Sequence, residues 1–294
     1  MKASIRPHIY LHLAVLLFGA AGVLGKILAL APLTLVFGRS LFAALSLLPI
    51  VLWKRDGNWR RAGKRAVLCG ALLAMHWLSF FAALQCAPVA FGMLGFASFP
   101  LFVAVLEPFF FDEPRQVSDI LFAVLMGLGM RLLLDGANWE RGAMLALLLG
   151  ALSALLFAVL ILLNRAQTTQ LSSIQVAMNQ NAIAAICLLP WIFMNPGALL
   201  LSRNDWLGLM LLGAVFTALS HSLFVASLQS LTARLASIAS GMEPVYAMLL
   251  AWYFLHERIT LQAGAGAVVI CLTSVAAAYA HTSQHSQKSI DISS

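Results

Sequence analysis

Ionisable and polar side chains set inside long apolar stretches are the residues of this chain that could do chemistry, because each is costly there and needs a partner or a task. Glu243 is the sharpest case. It stands nine residues past Arg234 and directly before Pro244, so at about 1.5 Å per helical residue it lies about 14 Å beyond that arginine. Proline removes a backbone donor and frees a carbonyl one turn earlier, at Ser240. A carboxylate beside opened backbone can hold a cation, a substrate amine or a proton; equally, Glu243 can cap or pair within a helix bundle. Arg39, seven residues past Pro32, carries a planar fork of donors that suits a substrate carboxyl or an internal acid. His76, with Trp77 beside it, and His221 fall well inside apolar runs, where an imidazole relays protons, bonds a substrate or serves as a satisfied structural group. Asn179, Gln180 and Asn181 are consecutive, so some of them must face protein or water. Tyr246 joins Trp77, Phe91, Phe96 and Phe99 as candidates for an aromatic cavity wall, against the alternative of bulk packing. Lys26 is either a snorkelling side chain at an outer surface or a further site residue.

The elements that must position these groups follow from composition. The 294 residues are 62% hydrophobic and 10% charged, with mean hydropathy +0.92, whereas soluble domains carry roughly 25% charge. A soluble surface cannot be built from so few charges, and lipid is the implied solvent. Runs of about 20 apolar residues cross a bilayer, and ten occur, near 8–28, 33–53, 66–86, 89–111, 117–135, 142–163, 173–194, 206–229, 234–255 and 260–280. The pattern predicts an all-α membrane protein of ten transmembrane helices, its first helix retained, with a disordered cytoplasmic tail over 281–294.

Basic residues are retained on the cytoplasmic side, and a cytoplasmic N-terminus puts Lys2, Arg6, Lys54, Arg55, Arg60, Arg61, Lys64, Arg65, Arg115, Arg165, Arg234 and Lys288 there, twelve of the 18 Lys and Arg. Arg131, Arg141, Arg203 and Arg258 fall on the other side. The net charge of +7 thus reads as orientation rather than nucleic-acid binding. Both termini are expected in the cytoplasm of a bacterial inner membrane.

An offset of 144 residues aligns the chain with itself. Phe80, Ala82, Leu84, Gln85, Pro100, Phe110 and Glu113 recur as Phe224, Ala226, Leu228, Gln229, Pro244, Phe254 and Glu257. Gln, Pro and Glu are scarce here and carry most of the weight. Upstream the register drifts: Phe18 and Lys26 match Phe157 and Arg165 at 139, and Pro49 matches Pro190 at 141. The repeat covers five helices, 1–135 and 142–280. Because five is odd, the second copy enters the membrane from the opposite side, the inverted architecture of alternating-access carriers.

The segment with Ser227-Leu228-Gln229, Ala239-Ser240, Glu243-Pro244-Val245 and Leu255-His256-Glu257-Arg258, then Gly264 and Gly266, resembles the last helices of EamA-type members of the drug/metabolite transporter superfamily. Leu84-Gln85, Pro100 and Phe111-Asp112-Glu113-Pro114 are similar to the same motif in a first copy. Phe18-Gly19 stands where such proteins usually have Trp-Gly. The resemblance implies a ten-helix carrier, often an exporter of amino acids or other metabolites, with a cavity shared by both halves.

No Walker-type phosphate loop is present, so a solute gradient or protons as coupling ion would supply the drive. No His-x-x-Glu-His, His-x-x-x-x-Asp or Gly-x-Ser-x-Gly pattern occurs, and Cys69, Cys86, Cys187 and Cys271 lack paired spacing. The reading is therefore a non-enzymatic monomer with no catalytic residues, metal or cofactor. Its partners are membrane lipid and a small-molecule substrate, an amino acid or related amphipathic compound. Export of lipophilic cations or drugs, or lipid flipping, is the alternative.

Overall fold

A computed structural model describes residues 5–54, 59–86, 89–112, 117–133, 142–256 and 258–291. Lys2, Arg55, Glu113, Arg115, Trp139, Arg141 and Glu257 lie outside the described residues, as do the side chains of Lys26, Arg60, Arg61 and Lys288.

Every described element is helical: α1 (Arg6–Leu28), α2 (Pro32–Trp53), α3 (Trp59–Cys86), α4 (Val89–Phe96), α5 (Phe99–Phe110), α6 (Val117–Leu133), α7 (Ala143–Gln167), α8 (Ser173–Met194), α9 (Arg203–Gly213), α10 (Ser220–Ser227), α11 (Ala233–Ser240), α12 (Glu243–Leu255) and α13 (Leu261–Asp291), with a short 3₁₀ turn at Pro196–Leu199 and a π segment at Ala214–Leu219. Among the described residues nine segments are long and apolar enough to cross a membrane. The tenth is α6, whose 17 residues extend about 25 Å. Leu45, Leu148, Leu207, Leu272 and Val275 are exposed, giving the apolar outer surface that lipid requires. Side-chain caps begin four helices among the described residues, Ser172 on α8, Ser202 with Asp205 on α9, Thr232 on α11 and Thr260 on α13.

Three predicted spans are not simple helices. Pro100 and Pro244 each sit just inside a helix whose predecessor has stopped, so that α4 gives way to α5 at Ala97–Ser98 and α11 to α12 at Gly241–Met242. These breaks are 144 residues apart, the offset of the repeat. Neither proline can donate to the preceding turn, and the amides around each break turn to carbonyls three residues back: Ser98 to Gly95 at 3.2 Å, Gly241 to Ile238 at 3.0 Å. The third interrupted span is α9, the π segment and α10 in sequence.

The packing repeats with the halves exchanged. α2 lies on α8 and α6 on α13, each pairing equivalent helices, while α3 on α7 is mirrored by α10 on α1, and α4 with α5 on α7 by α12 on α1. The fold is thus two inverted five-helix repeats. Small residues allow the closest approaches: a methyl on Gly150 would collide with the Gly92 carbonyl, and one on Gly95 with the Leu147 carbonyl. α13 continues as helix to Asp291, past residue 280, where a disordered tail was expected; residues 281–291 contain neither Pro nor Gly, and extending an existing helix avoids the cost of nucleation.

Candidate functional site

α1 starts at one face of the bundle, called here the N-terminal face. Midway through the bundle, Phe18, Ala21 and Gly22 of α1, Arg39 of α2, Leu73, His76, Trp77, Phe80 and Phe81 of α3, Phe96, Phe157, His221 and Glu243 surround one cavity. About 70 Å³ of it is open to water-sized molecules, room for a few waters.

Arg39 is buried and held on two sides. Its guanidinium carbon lies 4.2 Å from the centroid of the Trp77 ring, a cation–π contact, and its Nε donates to Thr217 Oγ1 at 3.1 Å. The π segment sets up that acceptor. Thr217 Oγ1 donates to the Leu212 carbonyl, five residues back, at 2.8 Å, leaving its lone pairs turned to Arg39. Gly213 lets the two helices close, because any side chain there would meet Phe42 and the Arg39 carbonyl.

Glu243 is the first residue of α12, placed by the helix break. Gly19 brings α1 against it: a methyl at Gly19 would lie 3.0 Å from the Glu243 carbonyl. Arg39 and Glu243 face the same cavity without closing to a direct ion pair, and among the described residues the Glu243 carboxylate makes no hydrogen bond.

The two histidines are oriented by different partners. His76 Nδ1 lies 3.1 Å from the Ser153 carbonyl and 2.8 Å from Ser153 Oγ, which itself donates to the His76 carbonyl at 3.1 Å. A carbonyl only accepts, so Nδ1 carries the proton and Nε2 is left as an acceptor. His76 also stacks on Phe157, centroids 4.6 Å apart. On the other side, Asn181 Nδ2 donates to the Ala177 carbonyl at 2.8 Å and approaches His221 Nδ1 at 3.1 Å. His221 Nδ1 therefore accepts and its Nε2 carries the proton. The cavity thus has one imidazole of each tautomer on its walls.

Toward the N-terminal face the cavity is floored by rings: Phe96 stacks on Phe99 at 5.8 Å, Phe99 meets Phe157 at 4.8 Å, Phe157 stacks on Phe224 at 5.9 Å and Phe224 meets Phe18 at 5.8 Å. Beyond them lies a core including Leu11, Val15, Val103, Ile161 and Ala236. In the other direction Ala21, Gly22 and Phe81 continue the lining.

Of the residues singled out in the sequence, Glu243, Arg39, His76, Trp77 and His221 come together. Asn179 and Gln180 are buried on α8 but do not line this cavity; Gln180 Nε2 donates to Asn164 Oδ1. Tyr246 also lies off it, its hydroxyl 3.2 Å from His12 Nδ1, tying α12 to α1. The backbone of Lys26 continues α1 one turn past Gly22. Thr217, Ser153 and Phe157 were not anticipated as site residues. The match of Phe18 to Phe157 at an offset of 139 held a clue to the last. No group of three or more His, Cys, Asp and Glu side chains that could hold a metal ion occurs among the described residues.

Comparison with known proteins gives a consistent picture. The model of the EamA-like transporter family matches residues 5–134 and again 144–279. Over 271 residues the chain is 28% identical to the uncharacterized transporter YxxF of Bacillus subtilis (strain 168), covering 88% of this chain and 85% of that protein. It is 25% identical over 262 residues to an uncharacterized transporter of Archaeoglobus fulgidus, covering 88% and 91%. One solved crystal structure superposes with a TM-score of 0.78 at 18% identity, covering 94% of this chain and 97% of that one, a likeness of fold.

Proposed function

This chain belongs to the EamA-like transporter family, and on that premise we propose that it is a secondary carrier moving an amino acid or a related amphipathic metabolite by alternating access. The observation that supports this most is the pair Arg39 and Glu243, opposite charges that face one aromatic-walled cavity without a direct ion pair. A zwitterion matches that arrangement: its carboxylate suits the guanidinium fork, its ammonium suits Glu243, and its apolar part lies among Phe18, Phe80, Phe81 and Phe157. His76 Nε2 and His221 Nε2–H add an acceptor and a donor.

In this reading the protein is a monomer of a bacterial inner membrane, with the N-terminal face cytoplasmic, and it works as an exporter. Its drive is the solute gradient or protons, each charge moved being worth about 2.3 kcal/mol per 100 mV, with Glu243 as the proton-coupling group. Arg39, His76, Trp77, His221 and Glu243 touch the solute; Asn179, Gln180 and Tyr246 support the helices around them, and Lys26 lies toward the opposite face.

The test is counterflow into proteoliposomes, screened over amino acids, nucleosides, sugars and lipophilic cations. Amino-acid exchange by the native protein, retained at weaker affinity in Glu243→Gln while proton-linked uptake is lost, is the expected result. Unchanged coupling in that variant would refute the role of Glu243. Exchange of lipophilic cations alone would favour the drug-export reading, which the aromatic lining also fits.

A further inference from the structure

Four charged residues outside the cavity are engaged with one another across the two halves. Glu107 of α5 accepts from Arg165 Nη1 of α7 at 2.7 Å, from Arg234 Nε of α11 at 2.7 Å, and from the backbone amides of Ala233 and Arg234 at 2.8 and 3.2 Å. Arg234 Nη1 also reaches Asp119 Oδ2 of α6 at 2.8 Å. Side-chain exposure is 0% for Glu107, 1% for Asp119, 3% for Arg234 and 20% for Arg165. The Arg165 guanidinium carbon lies 4.3 Å from the Phe111 ring centroid. Both acids belong to the first repeat and both arginines to the second. α5 and α7 end, and α6 and α11 begin, at the N-terminal face, so the cluster lies across the seam between the halves, beyond the aromatic floor.

The sequence does not repeat this set at the opposite face. At the repeat offset of 144, Glu107 corresponds to Ala251, Asp119 to Ala263 and Arg234 to Ala90, while Arg165 matches Lys26 at 139. The two halves share one fold, yet both acids and Arg234 have uncharged counterparts.

We propose that Glu107, Asp119, Arg165 and Arg234 form a one-sided ionic latch that holds the N-terminal face shut and sets the resting state of the transport cycle. They are positioning residues, acting on access to the cavity without touching the solute. The inference rests on the carrier reading, since a latch has a task only if the halves part. Alternating access must separate the seam at each face in turn. At the N-terminal face that separates buried charges, whereas at the opposite face the positions corresponding to Glu107, Asp119 and Arg234 are alanines. The empty carrier therefore rests closed on the N-terminal face, and parting the cluster is the gated step.

Ala236, buried in the packed core on the N-terminal side of the floor, is the reporter. In full-length protein with its four native cysteines replaced, Ala236→Cys is labelled with a membrane-impermeant methanethiosulfonate reagent from the N-terminal face of vesicles. Asp119→Asn is isosteric and keeps an acceptor for Arg234, so it weakens the latch gently. Labelling is expected to quicken about tenfold, the equivalent of one charge-assisted hydrogen bond, and Asp119→Glu should be slower than Asp119→Asn. An unchanged rate in Asp119→Asn overturns the proposal. Hydrogen exchange on the unsubstituted protein decides it independently of any variant's folding: amides 105–110 and 233–238 should exchange about tenfold more slowly than amides 249–254 at the equivalent end of α12. Equal rates overturn it. Neither measurement uses a solute, so a wrong substrate class leaves both results standing.

Discussion

Arg39 is the residue whose geometry makes the most exacting demand. Its Nε bond to Thr217 Oγ1 exists because the π segment turns that hydroxyl toward α2, and the guanidinium is then fixed over Trp77 with its remaining donors available to a carboxylate. Arg39→Lys keeps the charge but loses both the Nε bond and the fork. A hydrogen bond to a charged group contributes about 1.5 to 3 kcal/mol, so the affinity for a zwitterionic solute should fall about 10- to 150-fold. Thr217→Val removes the acceptor alone and should weaken binding about tenfold through misorientation of the same guanidinium. Because both substitutions delete one bond, their effects should not multiply: the double variant should bind about as weakly as Arg39→Lys, leaving a coupling of about 1.5 kcal/mol in a double-mutant cycle. The assay is concentration-dependent counterflow of an amino acid by wild type, both single variants and the double, with each variant's thermal unfolding measured alongside. Additive losses, with the double variant weaker than Arg39→Lys by the full Thr217→Val factor, would refute the idea that the π segment acts through Arg39.

The other expectations can be tested on the same preparations. Asn181→Leu takes away the donor that holds His221 Nδ1; the ring then loses its fixed tautomer, and the half-saturation concentration should rise about three- to tenfold with little change in maximal rate, which counterflow kinetics would show. Gly150→Ala places a methyl against the Gly92 carbonyl and should cost about 1 to 3 kcal/mol through overpacking; an unfolding temperature equal to wild type would contradict the backbone contact between α4 and α7.

Most of the architecture was legible because it rests on scarce residues. Proline and glutamine in one register revealed the inverted repeat, and the same two prolines mark where α4 and α11 stop. The π segment was not legible: Ala214 to Leu219 has helix-compatible residues throughout, and only a three-dimensional constraint from α2 distinguishes Thr217 from any other threonine in an apolar run. The cavity charges were found because an isolated Glu or Arg at depth stands out against an apolar background. Arg165 and Arg234 did not stand out, since basic residues near helix ends are already explained by orientation. Their acids lie 58 and 127 positions away for Glu107 and 115 for Asp119, separations at which nothing local couples them. Tyr246 was grouped with the aromatic residues of a cavity wall, but it lies about one turn beyond Glu243 along α12, and its hydroxyl meets His12 instead.

The phenylalanine floor bears on electricity as well as on passage. The rings and the apolar core behind them form a dry barrier between the midplane and the N-terminal side, and membrane voltage falls across such a barrier. What a carrier moves through that field is the sum of the charges on its cavity walls and its solute. Arg39 and Glu243 sum formally to zero, and a zwitterion adds nothing. The loaded and empty conformational steps are then alike in being blind to voltage, and a proton arriving at Glu243 is the one passenger that would feel it.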